Sequence, residues 1–517
     1  MSHTTIIANG IVLTCDAANR CGTYHLVVGN GRIVALSDNV ERLRREHPDA
    51  HVLDATGRLV LPGFVNAHVH SEGVLLHPLT KGRHLALWGE AQQFHHVREH
   101  LVHPSSTKEI HTLYRTAYAA HLASGTTTVA EFPLPFPEES FTTMMDAVRG
   151  SGLVSLITLR SWEHVRRVQA LGAKRPRVAV SLGDERELTV YSLENTLKAA
   201  KELKAPLLAH CTEQREDAET VVKHFHKGII GLLRSFNALH DSTILVHANH
   251  ISEDEVANVK EVGGTVVACP RSTAAKQTGY PALRHLAKRH VGLALGTDWG
   301  NVDMVEEMRF MNQLPMVVPG LRFFSALEIV RMATINGAHA LGLQKETGSL
   351  EVGKRADMLF FSLQSLRLPR VQNISAAEEL ADLVVNSLTS GDLSDVMIGG
   401  TFAMKDRRLT LLPEEALVEE WQALRSRILP TAVSTPLFSA SLKQPTNVLP
   451  FTHDQRATTD EPAEGFEAGF APSSAPADDR TEKPAHPFAN LAKVQREPIK
   501  PELPKDTRRV FGEDDDF

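Results

Sequence analysis

The chain has 517 residues, a formal net charge of −7 at pH 7, 42% hydrophobic residues and 23% charged residues. An acidic balance without a long basic run argues against a nucleic-acid-binding surface as the main function. No apolar segment approaches the length of about 18 residues that a membrane span needs. The four cysteines form no CxxC pair and the N-terminus lacks a basic, apolar leader, so we expect reduced thiols and a cytoplasmic protein.

Residues 1–60 alternate short apolar runs with turns, which is typical of a small antiparallel β domain. Gly29-Asn30-Gly31 lies between two of these runs and predicts a hairpin turn.

From residue 61 to residue 345, apolar strand candidates alternate with amphipathic helical stretches such as Leu193 to Leu203 and Ser252 to Val262. Eight strands in such an alternation predict an α/β fold, a (β/α)8 TIM barrel. A doubly wound open sheet is the alternative, but no GxGxxG follows the first strand. The strand candidates are GFVNAHVH, TTTVAEF, GLVSLITLR, PRVAVSLG, APLLAHCTE, TILVHANHI, GTVVACP and VGLALGTD.

The last third of the chain changes character twice. Residues 346–410 return to β-rich segments, and residues 411–430 contain one amphipathic helix. Residues 431–517 are rich in proline and acidic residues without a lasting period, so we predict a disordered tail. The tail's end is interpreted either as a solvated acidic segment or as a docking peptide anchored by Phe511 and Phe517.

Histidines and acidic residues recur where the predicted barrel strands end. His68 and His70 end the first strand, and residues two apart on a strand point to the same side. Because the carboxyl ends of barrel strands meet on one rim, these side chains should converge with those from other strands. Imidazoles with a carboxylate suit a borderline metal such as Zn²⁺ or Fe²⁺. The further candidates are His210 and Glu213 after strand five, His247 and His250 after strand six, and Asp298 after strand eight.

The ordered motifs of residues 1 to about 410 resemble the amidohydrolase superfamily. The resemblance is strongest to the branch of S-adenosylhomocysteine/methylthioadenosine, guanine and cytosine deaminases and triazine chlorohydrolases. It implies that residues 1–60 and 346–410 build one composite β-sandwich beside the barrel of residues 61–345. The matching segments are PGFVNAHVH, SGTTTVAEF, LLAHCTE, LVHANHIS, VVACPRS, LGTD, NVDMVEEMR and ATINGAHALGLQKETGSLEVGKRADM.

The resemblance also implies a site with one divalent metal ion, with zinc favoured over iron. Two-metal relatives carry a modified lysine at the end of strand four, whereas this chain has VAVSLGDERE there, without a lysine, and Asp184 or Glu185 could substitute. The implied ligands are His68, His70, His210 and Asp298.

The same resemblance assigns roles in the chemistry. Glu213 matches the acid that shuttles protons, and His247 matches the histidine that contacts the attacking water or the tetrahedral intermediate. His250 is either an outer support or a rim residue. A metal supplies hydroxide near neutral pH, Asp298 accepts the water proton and Glu213 donates to a ring nitrogen. These roles imply deamination of a purine- or pyrimidine-like heterocyclic amine.

Substrate identity depends on loops that the motifs leave open. The loop after strand four, SLGDEREL, lacks the histidine that adenosine-type deaminases of this branch use to hold the nucleoside. Trp299 follows the metal aspartate and offers either a stacking face or loop packing. Arg83 and Trp88, in the loop after strand one, are candidates to contact a small-molecule heterocyclic substrate, and loop packing is their alternative.

Two other functions stay open on the sequence. The same hydroxide attack would serve a chlorohydrolase that displaces halide or another leaving group from a related ring. A non-catalytic barrel that binds a partner through the acidic tail is the third alternative, although scaffold relatives generally lose the metal histidines. The resemblance also implies a homodimer, and neither nucleic acid nor membrane is expected as a partner.

Overall fold

The computed structural model describes residues 4–365, 368 and 376–429. In chain order, its strands are β1 (Thr5–Leu13), β2 (Cys21–Gly29), β3 (Arg32–Ser37), β4 (His51–Asp54), β5 (Arg58–Pro62), β6 (Phe64–His70), β7 (Thr126–Glu131), β8 (Val154–Leu159), β9 (Arg177–Ser181), β10 (Leu207–Cys211), β11 (Ile244–His247), β12 (Thr265–Ala268), β13 (Gly292–Leu295), β14 (Asp298–Trp299), β15 (Met358–Ser362), β16 (Leu393–Ile398), β17 (Thr401–Lys405) and β18 (Arg408–Leu409).

The α-helices are α1 (Val40–Glu46), α2 (Gly73–Thr80), α3 (Gln92–Val102), α4 (Thr107–Ala123), α5 (Glu138–Gly150), α6 (Trp162–Ala170), α7 (Val190–Leu203), α8 (Arg215–Phe225), α9 (Ile229–Ser235), α10 (Glu253–Glu261), α11 (Pro270–Lys276), α12 (Leu283–Lys288), α13 (Met304–Gln313), α14 (Ala326–Met332), α15 (Ile335–Ala340), α16 (Ala377–Asp382) and α17 (Glu414–Ile428). Helix starts follow local chemistry. Before α10, for example, Ser252 and Glu255 form a reciprocal capping box, in which each side chain accepts from the other's backbone N–H.

Strands from both ends of the described chain share one nine-stranded sheet. Along it, β5 pairs with β15 in antiparallel fashion and with β1 in parallel fashion, so the two terminal segments join at β5. The predicted hairpin is confirmed, because Gly29 pairs with Arg32 and the two residues between them have positive φ. Asn30 (φ 52°) and Gly31 (φ 74°) form the tight turn that matches the twist of paired strands.

Strands β6 to β14 form a second sheet that is parallel throughout, and the predicted α/β barrel fold is confirmed. Its last strand is split in two. β13 pairs with β12, and after Gly296 and Thr297 the chain resumes as β14, which pairs with β6. The split strand therefore links the end of the sheet to its beginning and sets Asp298 beside Val69.

Alternate residues of the barrel strands belong to different packing clusters. On β10, Leu208 packs in a hydrophobic cluster formed with residues of neighbouring barrel strands and of α15. Leu207 and Cys211 belong instead to the largest hydrophobic cluster of the described chain. His210 shares the parity of Leu208, so neighbouring Cys211 points away from it, as strand geometry predicts. On β6 the pairing with β7 shifts register between Asn66 and Val69, which interrupts the simple alternation next to the histidine pair.

The segments after the barrel are described only in part. Helix α17 lies against α4, where Arg427 donates to Glu109 over 3.0 Å. The predicted tail, residues 431–517, lies outside the described residues. Within the described ranges, no helix is both long and apolar enough to cross a membrane. The domain boundaries expected at residues 60 and 346 stay predictions.

Candidate metal centre

Five of the predicted site residues meet at the carboxyl ends of the barrel strands. His68 and His70 lie on β6, His210 on β10, His247 on β11 and Asp298 on β14. His68 and Asp298 are completely buried, and 15% of the His70 side chain is exposed. Parallel strands bring their carboxyl ends to one rim, which is why residues so far apart in the chain become neighbours here.

The ligand atoms of these side chains lie within a few ångströms of each other. Nε2 of His68 is 3.1 Å from Nε2 of His210 and 3.7 Å from Oδ1 of Asp298, and Nε2 of His70 is 3.4 Å from the same oxygen. His68 belongs to two sets whose ligand atoms are all within 4.8 Å of one another. One set adds His70 and Asp298, and the other adds His210 and His247.

Several of these buried polar atoms have no hydrogen-bond partner in the described part of the chain. They are Nδ1 of His68, both ring nitrogens of His247 and Oδ1 of Asp298. A buried polar atom without a partner costs about 1–3 kcal/mol, so a folded protein rarely leaves several together. The clustered imidazole nitrogens and carboxylate oxygen, one donor atom from each residue, fit a divalent cation such as Zn²⁺.

The ionisation of the site also suits a metal. Burial lowers the pKa of His68, His70 and His210 well below the ordinary range, so these rings are neutral at pH 7. Burial alone would raise the pKa of Asp298, but the positive charge of Lys276 outweighs it and holds that pKa well below its usual value. Neutral imidazole and ionised carboxylate are the forms that bind metals.

The backbone at the same strand ends is strained. His247 (φ 68°) ends β11 and Ala248 (φ 51°) follows it, Thr212 (φ 37°) follows β10, and Asp298 (φ 54°) begins β14. None is glycine, and left-handed backbone is uncommon in non-glycine residues, although this chain also has it in turns such as Asn30. The chain bends sharply where the site's side chains are presented.

Glu213 and His247 lie next to the proposed ligands. Oε2 of Glu213 is 3.6 Å from Nε2 of His247, which is in turn 3.9 Å from Oδ2 of Asp298. His250, by contrast, belongs to none of the clusters of possible metal-binding residues in the described part of the chain, and its Nε2 lies 2.9 Å from the carbonyl oxygen of Thr278. Both alternatives for His250, outer support and rim packing, stay predictions.

Two residues of the site were missed in the sequence. Lys276, at the end of α11, places Nζ 2.8 Å from Oε1 of Glu213 and 2.5 Å from Oδ2 of Asp298. Phe132 follows β7, and its ring centroid lies 4.3 Å from that of His210 and 5.2 Å from that of His70. A helical lysine and a phenylalanine after a strand carry no pattern that would have identified either one.

Buried acids also support the β6 end of the site. Glu131 accepts from the backbone N–H of Ser71 (3.1 Å) and from its hydroxyl (2.5 Å), directly after His70. On the β9 loop, Oε2 of Glu185 accepts from the N–H of Thr212 at 2.7 Å. Glu185 is absent from the metal-ligand clusters found among the described residues, as is Asp184. These clusters therefore offer no bridging carboxylate from strand four.

Trp299, on β14, and Trp88, in the loop after β6, place aromatic rings next to the site. The ring of Trp299 lies 5.9 Å from that of His70 and 5.1 Å from that of Trp88, and its Nε1 donates to the hydroxyl of Thr80. The Trp88 ring in turn lies 5.6 Å from Nζ of Lys276. The side chain of Arg83 is exposed, and its backbone carbonyl oxygen accepts a hydrogen bond from Nε1 of Trp88 at 3.3 Å. The structure thus brings the two tryptophans to the site but leaves Arg83 at the surface.

Comparisons with known proteins place the chain among related enzymes. The profile of the Amidohydrolase family matches residues 59–403. A 5-methylthioadenosine/S-adenosylhomocysteine deaminase from Syntrophomonas wolfei is 27% identical over 395 residues, which cover 71% of this chain and 86% of the relative.

Two solved structures share the fold. An adenosine deaminase from Xanthomonas campestris with bound zinc superposes with a TM-score of 0.72 at 23% identity, covering 82% of this chain and 98% of the other. The atrazine chlorohydrolase from Arthrobacter aurescens TC1, complexed with zinc, gives a TM-score of 0.71 at 20% identity and covers 81% of this chain and 100% of its own.

Proposed function

Because the chain belongs to the amidohydrolase family, we propose that it is a metal-dependent hydrolase of carbon–nitrogen bonds that removes an amino group from a small heterocyclic amine. The observation that carries this proposal is the convergence of buried His68 and Asp298 with half-buried His70 and His210 at one rim of the barrel. The deaminase activity of the Syntrophomonas relative supports the reaction class.

We propose that these four side chains hold one zinc ion, since zinc accompanies two proteins of the same fold and the clustered donors suit it. A zinc ion bound there would lower the pKa of a water molecule to about 7 and so provide hydroxide at neutral pH. Iron is the alternative metal, because nitrogen and carboxylate donors accept both.

The remaining chemistry belongs to side chains around the metal ligands. Asp298 is ionised, so one of its oxygens can take a proton from the attacking water. Glu213, 13% exposed at the edge of the site, would carry protons to the substrate's ring nitrogen and to the departing amine. His247, whose Nε2 lies 3.6 Å from Oε2 of Glu213, would donate a hydrogen bond to the oxygen of the attacking water as negative charge develops on it.

The substrate would be bound against aromatic surfaces. The ring of Phe132 lies beside His70 and His210 and offers one aromatic surface. Trp299 and Trp88, whose rings contact each other, offer a second. Flat rings stack favourably on such side chains, which supports a heterocyclic substrate. A homodimer and a partner for the tail of residues 431–517 stay predictions.

The proposal is tested by offering zinc-loaded protein a panel of aminated purines, pyrimidines, pterins and triazines and measuring ammonia release. Chlorinated triazines in the same panel, with chloride release as the readout, distinguish the chlorohydrolase alternative. Ammonia from at least one ring, lost after chelation and regained with zinc, is the expected result. Zinc-loaded protein that releases only chloride, or that turns over none of the panel, would contradict deamination.

A further inference from the structure

Lys276 is a buried lysine at the centre of the proposed site. It is the last residue of α11, only 4% of it is exposed, and it forms ion pairs with two carboxylates at once. Burying an ammonium is costly unless oppositely charged groups compensate it. Here both compensating groups are residues with proposed roles in the chemistry, which makes Lys276 more than a packing residue.

The two oxygens of Asp298 have different partners because of this lysine. Oδ2 accepts from Nζ of Lys276 at 2.5 Å and from the hydroxyl of Ser272 at 2.7 Å. Oδ1 has neither partner and faces Nε2 of His68 at 3.7 Å and Nε2 of His70 at 3.4 Å. Oδ2 is therefore hydrogen-bonded to two donors from α11, whereas Oδ1 faces the histidines and can bind a metal ion.

The two carboxylate oxygens of Glu213 also have different partners. Its Oε1 accepts from Nζ of Lys276 at 2.8 Å, whereas Oε2 lies 3.6 Å from Nε2 of His247. Since both carboxylates are tied to one nitrogen atom, the ammonium also sets the distance between them. Without its charge, two carboxylates, of which Asp298 is fully buried, would lie close together and repel each other when both are ionised.

We propose that Lys276 is a positioning residue of the metal centre, which keeps Asp298 a ligand through Oδ1 alone and holds Glu213 beside it. The inference rests on the proposed metal function and adds a residue to it. Lys276 acts through Asp298 and Glu213, and its position above the Trp88 ring (5.6 Å) leaves the ammonium between the carboxylates and the aromatic wall. Ser272 assists, but a neutral hydroxyl cannot replace the charge.

The test uses cobalt as a spectroscopic substitute for zinc, in the full-length protein and in Lys276→Met, which has a similar length and no charge. X-ray absorption at the cobalt edge counts the ligands, and visible absorption weakens as the coordination number rises. We expect one more oxygen ligand and a weaker visible band in Lys276→Met, because Oδ2 becomes free to bind the metal. The cobalt content should stay the same. Lys288→Met, an exposed lysine at the end of α12, is the matched control and should match the wild type.

An unchanged cobalt spectrum in folded Lys276→Met would overturn the inference. If that variant fails to fold, Lys276→Gln, which keeps a neutral donor, gives the same comparison. Wild-type protein that binds no cobalt would overturn the metal centre and this inference together. Neither cobalt measurement needs a substrate. The cobalt spectra therefore decide the role of Lys276 even if the ammonia assay fails. Once a substrate is known, kcat should fall at least tenfold in Lys276→Met with little change in KM, and ethylammonium should restore part of it in Lys276→Ala.

Discussion

Nε2 of His68 lies 3.1 Å from Nε2 of His210, although 142 positions separate the two residues in the chain. Both rings are neutral because burial lowers their pKa, so a proton on one nitrogen or a cation shared by both must separate their lone pairs. Oδ1 of Asp298, 3.7 Å from Nε2 of His68, adds a negative charge beside them. A shared cation satisfies all three atoms, whereas a proton satisfies two.

Removing one of the proposed ligands should lower the metal content of the protein. We expect purified wild-type protein to hold about one zinc per chain. His210→Ala should hold much less, because the variant lacks one of the four proposed zinc ligands. Metal analysis by mass spectrometry measures the difference. His250→Ala is the control, since that ring lies against the carbonyl of Thr278 outside the cluster and its loss should leave the zinc content unchanged. Equal zinc in both variants would argue against His210 as a ligand.

Glu213→Gln should separate binding of the metal from catalysis. The amide keeps the shape but cannot shuttle a proton, so we expect kcat to fall by about 10²–10⁴ while zinc is retained. The assay is ammonia release on whichever ring the protein accepts. Glu216→Gln, a change of the same kind at an exposed residue in the first turn of α8, should keep wild-type kcat. Full activity in Glu213→Gln would exclude its role in proton transfer.

A glycine in the split eighth strand should be needed for site geometry. A Cβ at Gly296 would lie 2.8 Å from the backbone oxygen of His68 and 2.9 Å from its Cβ. We expect Gly296→Ala to displace His68, to lower zinc affinity and to destabilise the fold by about 1–3 kcal/mol. Zinc titration and denaturant unfolding measure the two effects. At Gly150, nothing lies within 4 Å of an added Cβ, so Gly150→Ala should leave zinc affinity unchanged and should not destabilise the fold.

His121 should contribute to acid sensitivity outside the metal centre. Burial on α4 lowers its pKa from 6.5 to about 4, so between these values the unfolded state binds a proton that the folded state does not. Stability then falls as pH drops from 6.5 towards 4, by about 3 kcal/mol in total for this group. His121→Leu should lose less stability over this range than the wild type in urea unfolding. The exposed His96→Leu should keep the wild-type dependence, and an unchanged slope in His121→Leu would contradict the assignment.

The local features of the fold were predictable because they depend on neighbours in the chain. The positive-φ turn at Asn30-Gly31 follows from residue type, and the capping box of Ser252 and Glu255 marks the start of α10. The same holds for His68 and His70, whose spacing and strand position indicated convergence. Their roles as ligands, and those of the other candidates, stay predictions until the metal is measured.

Other features could not be predicted, because they depend on contacts between distant segments. The break of strand eight at Gly296 is needed where the backbone passes against His68, and a glycine in a strand pattern does not reveal what lies opposite. The meeting of Trp88 with Trp299 depends on how the β6 loop folds back over the rim. Arg83, in the same loop, was equally plausible in the sequence and lies at the surface.

By itself, the sequence determined which donor types stand at the ends of which strands, since hydrophobic period and motif order are properties of the linear chain. Only the tertiary structure decided that the ammonium of Lys276 lies between Asp298 and Glu213 and that Phe132 lies beside His70 and His210. The physical reason is that a buried charge or ring is positioned by packing between elements far apart in the chain, and no local pattern encodes that distance.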